Sequence, residues 1–119
     1  MLNFREEFNE IRAEKLYGNE SIRHQAEFIL KNILGYFRVK PKEEFEPRKM
    51  KLKFEIDNDK LSVKEYCKKK EKEIYNFVFL NSETAKEVLC YLESELIEEG
   101  CEKTSLLPAK DYNCFVVEI

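Results

Sequence analysis

Three glycines, three prolines, a single histidine and no tryptophan leave this sequence short of several kinds of chemistry. Loops that cradle phosphate need glycines at fixed offsets, and neither G-x-x-x-x-G-K-[ST] nor G-x-G-x-x-G occurs. A zinc-protease motif needs two histidines one helical turn apart, which His24 alone does not supply. The hydrolase elbow G-x-S-x-G is missing as well. The cysteines, Cys67, Cys90, Cys101 and Cys114, show none of the C-x-x-C spacings of a closed zinc site, so no metal or other cofactor is expected.

Long apolar runs are also lacking. Nothing approaches the roughly 20 residues that span a bilayer, so no membrane partner is expected. The opening "MLNFREEFNE" is acidic where a secretory leader would be basic and then apolar. A cytoplasmic location with reduced thiols is therefore expected. Nor does one sign of charge dominate: 21 Lys and Arg face 24 Asp and Glu, for a net charge of −3. That balance creates no overall field toward nucleic acid or anionic lipid. The scarcity of Gly and Pro leaves little chain for linkers, and residues 1–119 read as one domain.

What the sequence does have is charge, at 38% of residues against a usual value of about 25%, and aromatic side chains, at 13%. The charge is uneven. Lysines crowd the stretch from Lys49 to Lys72, whereas acids dominate from Glu83 onward. Lysine outweighs arginine, and Asn, Ile, Phe and Tyr are plentiful, as an AT-rich genome produces. A bacterial, phage or mobile-element origin fits that bias.

Periodicity supplies the fold. Phe4, Phe8, Ile11 and Leu16 form one helical stripe that Gly18 is placed to end. Ile22, Ala26, Ile29, Leu30, Ile33 and Phe37 form a second stripe, on a helix capped at Asn19 or Ser21 and predicted to stop at Gly35, with "YFRVK" extended beyond it. The short link predicts a helical hairpin over residues 1–38. After a charged loop between Pro41 and Pro47, "MKLKFEI" alternates with period two, and "DNDK" supplies a turn. Residues 61–67 read as a returning strand, although Ser62 with Glu65 also fits a capping box that would start a short helix. "EIYNFVFL" carries apolar residues on both faces and is therefore predicted to be a central strand. Ser82 to Glu99 is a helix buried through Ala85, Val88, Leu89, Leu92 and Leu96, and two strands joined at "PAKD" complete residues 49–119. The expected fold is α+β: a two-layer structure with the N-terminal helical hairpin and one further helix packed on a mainly antiparallel sheet of four or five strands.

Three functions can be weighed on these residues. Lys64, Lys68, Lys69, Lys70 and Lys72 beside Tyr75 have the residue types of a single-strand nucleic-acid platform, in which aromatic rings stack on bases within a basic groove. Glu71 and Glu73 interrupt those lysines, and the aromatic face is needed to pack against the helices, so a solvated hairpin tip feeding a core strand is the preferred reading. A thiol enzyme pairing a cysteine with His24 is the third candidate, but His24 lies on the flank of the apolar stripe of the second helix, where a structural or surface histidine is the preferred reading. With no catalytic motif, the leading expectation is a small non-catalytic protein-binding domain, an adaptor, regulator or inhibitor of a cytosolic protein. The acidic residues Glu95, Glu98, Glu99 and Glu102 are its candidate contact surface, and exposed aromatics its candidate anchors.

Overall fold

The computed structural model describes residues 3–8, 19–45, 50–67, 70–106 and 108–119; for Asn19, Glu20, Ser21 and Cys67 only the backbone is considered. The expected end of the first helix at Gly18, its contacts through Ile11 and Leu16, and the tip lysines Lys68 and Lys69 lie outside the described residues. Residues 4–8 are helical, started by the Asn3 side chain, which accepts from the Glu6 amide at 3.3 Å.

Helix α1 is Asn19–Val39. Ile22, Ala26, Ile29 and Ile33 are buried along one face, as the stripe predicts. Gly35 does not end it, and "YFRV" is helical where an extended piece was expected. A glycine inside a helix costs about 1 kcal/mol relative to alanine. Here the residues beyond Gly35 hold the helix together: Phe37 packs on the core, and Tyr36 and Lys40 both bond Glu65. Tertiary contact outweighs local propensity.

The strands are β1 (Lys51–Asp57), β2 (Lys60–Cys67), β3 (Lys70–Val78), β4 (Glu102–Lys103) and β5 (Cys114–Glu118). They form an antiparallel sheet in the order β3-β2-β1-β5-β4. β1 and β2 are joined by a two-residue turn in which Asn58 adopts φ 57°, a left-handed value that Asn tolerates better than most residues. Residues 61–67 are strand, so the capping-box alternative is not realised.

Alternation sorts the two faces. Leu52 and Phe54 of β1, Leu61 and Val63 of β2, and Phe115 and Val117 of β5 point into the core. Phe54 lies directly across from Phe115 with the rings stacked at 4.8 Å. This face is roofed by α1 and by helix α2, Ser82–Glu98, whose buried residues are the five that the sequence predicts. Asn81 caps α2 by accepting from the Thr84 amide at 2.7 Å. Gly100, at φ 97°, closes it in a Schellman arrangement, with Cys101 donating to Leu96 and Gly100 to Ile97. Helices packed on a five-stranded open sheet make the two-layer α+β fold.

Two expectations need correction. "PAKD" is not a simple turn: Ala109–Tyr112 forms a one-turn helix, α3, before Asn113 turns left-handed into β5. And β3 is an edge strand, not a central one. Its apolar residues on the second face arise in two ways. Ile74 is the extra residue of a bulge opposite Val63 and Lys64, which lets it pack on the core, while Val78 and Leu80 simply remain in solvent.

Candidate functional site

The free side of β3 is where the molecule leaves structure unfinished. Eight of the nine residues of this strand pair with β2 on one side, Ile74 being the bulge, and no strand among the described residues pairs with the other. Such an edge presents a row of amide donors and carbonyl acceptors. α1 runs above it, antiparallel to β3, and is fastened there by specific contacts. The Tyr75 hydroxyl donates to the Asn32 carbonyl at 2.9 Å, and the Phe28 ring meets Phe77 edge-on at 6.3 Å. At the far end Glu65, only 4% exposed, accepts from the Tyr36 hydroxyl at 3.1 Å and from Lys40 Nζ at 2.5 Å.

Burial works against the charged form of Lys40, but the hydrogen bond and attraction of Glu65 prevail and its pKa is raised. Removing either partner would strand a charge in a poorly solvated place. The pair ties the C-terminal end of α1 to β2.

Between these elements opens a groove of about 280 Å³ lined by His24, Gln25, Phe28 and Ile29 of α1 and by Phe77, Val78 and Phe79. Two of its apolar lining residues stand in water, Phe28 at 61% exposed and Val78 at 68%, and Leu80, just beyond Phe79 in the chain, is 92% exposed. The two halves of β3 differ in kind. Residues 70–73 read Lys-Glu-Lys-Glu and end at the bulge, both of which discourage strand addition, whereas residues 75–78 carry no charge at all.

Of the residues considered for nucleic-acid binding, the described ones, Lys64, Lys70, Lys72 and Tyr75, do not share one exposed face. Lys64 points to the open face of the sheet, within 3.6 Å of Glu55 and 3.7 Å of Glu71. Lys72 points the other way, its Nζ 6.0 Å from the Tyr36 ring, and Lys70 is exposed at the start of β3. Tyr75 is half-buried beneath α1, stacked on Phe77 at 5.5 Å. Of the acidic residues, Glu98, Glu99 and Glu102 are exposed and Glu95 half-buried at the end of α2, where no basic residue occupies the last turn. Acids there oppose the helix dipole.

On the open face Lys53, Glu55, Lys64 and Glu71 form a lattice of ion pairs, with Tyr66 donating a short hydrogen bond to Glu71. That bond, with Lys53 and Lys64 nearby, holds the Glu71 carboxyl below its ordinary pKa; the same bond, against the pull of Lys53, raises the Tyr66 phenol. Surface pairs of this kind contribute little individually. A wider groove of about 560 Å³ lies against α2 and includes Cys90, Tyr91 and Lys86. Burial pushes the Cys90, Cys101 and Cys114 thiols up, the opposite of what a nucleophilic thiolate requires. Among the described residues no group of three His, Cys, Asp or Glu could hold a metal ion, and no helix is long and apolar enough to cross a membrane.

Sequence reasoning missed the groove. Its signal was present: Phe28 and Val78 are large apolar residues lying off the buried stripes, at positions where solubility alone would favour a polar side chain. Compared with known families, with curated proteins and with solved structures, the chain matches none.

Proposed function

We propose that this chain is a small non-catalytic protein-binding domain, an adaptor, regulator or inhibitor, which takes an extended apolar segment of a partner protein along the free edge of β3 beside α1. One observation carries this reading: the uncharged half of a long edge strand lies open beside exposed Phe28, Val78 and Leu80. Backbone groups on such an edge supply affinity for an extended segment, and an adjacent apolar groove supplies selectivity among side chains. An edge of this kind invites aggregation if it stays bare, so a resident partner gives it a use.

The test is site-specific photo-crosslinking in host extract. A photoreactive residue at position 78 should capture one protein, and the same residue at position 110, on α3, should not. The captured protein is then purified and its affinity measured for wild type and for Val78→Lys. A loss of tenfold or more supports the reading, while unchanged affinity, or equal capture from both positions, contradicts it.

A further inference from the structure

We infer that residues 36–40, the last turn of α1 and the lysine that follows it, form a latch that opens at Gly35. In opening, the latch uncovers the Tyr75 ring and lengthens the apolar groove along β3 toward the bulge. The latch belongs to the fold whatever occupies the edge; only the use of a longer groove rests on the reading given above.

Three observations carry it. The first is Gly35 itself, which lies inside α1. A β-carbon added there would meet no atom within 4 Å, and Gly35 is not among the residues of positive φ. Neither packing nor backbone geometry asks for glycine at this position. Its presence lowers the helical equilibrium constant about fivefold relative to alanine. A position of this kind is where a helix absorbs a change of φ and ψ at least cost.

The second is how the residues beyond Gly35 are held. Tyr36 and Lys40 both end on one carboxylate, that of Glu65, at 3.1 and 2.5 Å. Between them Phe37 packs at the margin of the core, while Arg38 and Val39 are exposed. The catch is therefore a single side chain on another element. A buried ion pair is a weak fastening in net terms, because the hydration regained on release offsets much of the attraction. Residues 22–33, by contrast, are held by Ile22, Ala26, Ile29 and Ile33 in the core.

The third lies on the near side of the hinge. In a helix the Asn32 carbonyl accepts from the amide of residue 36. Here it also accepts from the Tyr75 hydroxyl, at 2.9 Å. When the last turn leaves, that carbonyl keeps a donor, as the end of a helix requires. Gly35 is then the glycine that commonly ends a helix. The Tyr75 ring loses Tyr36, which meets it edge-on at 6.4 Å, and keeps its stack on Phe77 at 5.5 Å. The apolar surface then runs unbroken from Phe77 over Tyr75.

Amide hydrogen exchange on the free, isotopically labelled full chain tests the latch with no partner present. The amides of residues 36–40 should open as one group, with a step at Gly35, and exchange at least tenfold faster than those of residues 29–33. Gly35→Ala should slow the group about fivefold, and Glu65→Gln should speed it tenfold or more, with residues 29–33 unmoved in both. Hydroxyl-radical labelling of Tyr75, read by mass spectrometry, should fall in the first variant and rise in the second. A smooth gradient of exchange toward Lys40, a single opening of all α1, or no response to Gly35→Ala overturns the inference. So does unchanged labelling of Tyr75 in both variants, which would mean that the turn does not cover it. None of these results touches the crosslinking at position 78, which decides the edge reading separately.

Discussion

At one edge of the sheet β4 pairs only two residues with β5, and Thr104 and Ser105 continue that pairing. The Thr104 amide donates to the Val116 carbonyl at 2.9 Å, the Ser105 hydroxyl accepts from the Val116 amide at 3.0 Å, and Pro108 then turns the chain into α3. At the other edge β3 runs for nine residues, protected over its first half by charge and a bulge and, among the described residues, over its second half by no neighbouring strand. Short strands, prolines, charges and bulges are the usual ways of blunting an edge. The molecule applies them fully on one side and halfway on the other. The proposed binding surface rests on this asymmetry, because both edges belong to one sheet over one core and differ in how they are finished.

Variants can set the two edges against each other. Phe54→Ala, at the shared centre, removes the ring stacked on Phe115 and should cost about 3–5 kcal/mol in urea unfolding, exposing both edges together. Glu65→Ala should cost about 3 kcal/mol by leaving Lys40 without its partner, and should loosen α1 over β3 while amide protection around Ser105 stays unchanged. Replacing Glu65 and Lys40 together by leucine and methionine should recover most of that loss. Ser105→Ala should cost about 1 kcal/mol and raise exchange of the Val116 amide alone, with β3 unaffected.

The smallest effect is on pH dependence. Each thiol of Cys90, Cys101 and Cys114 is raised above its ordinary 9.0 in the folded chain, so folded protein holds those protons more tightly. Their contribution is complete below that value and is lost as pH rises through the folded pKa values; Tyr66, Lys40 and Lys53, also raised, extend the loss to higher pH. Glu71 has the opposite sign. Its pKa lies below 4.5, so its contribution is present above that value and fades as pH falls through the lowered one. Glu71→Gln should flatten the acid limb of a stability–pH curve and also lessen the alkaline loss from Tyr66, whose phenol Glu71 raises, while leaving the Cys90 and Cys101 part as it was.

Much of this architecture was legible in the sequence because burial writes itself as periodicity. The alternation of Leu52, Phe54, Leu61 and Val63 and the stripe from Ala85 to Leu96 place the core correctly. Gly35 misled because propensity is local, whereas the Tyr36 and Lys40 contacts with Glu65 join residues 25 or more positions apart. The place of β3 misled because an apolar residue on a second face has the same signature whether it is covered by a neighbour, turned inward by a bulge like Ile74, or left in water like Val78. The groove depends on strand order and helix placement together, and no single stretch of sequence encodes either. Even so, parity alone would have put Glu65 inward after Leu61 and Val63, and a carboxylate there needs a partner such as Lys40.

Amide hydrogen exchange on the free full-length chain addresses the open edge most directly. Alternate amides of residues 75–78, those turned away from β2, should exchange at rates close to those of an unstructured chain, while the Val116 and Thr104 amides are strongly protected. Uniform protection along β3, matching that of β1, would mean that its outer side is already occupied, and no binding edge would remain.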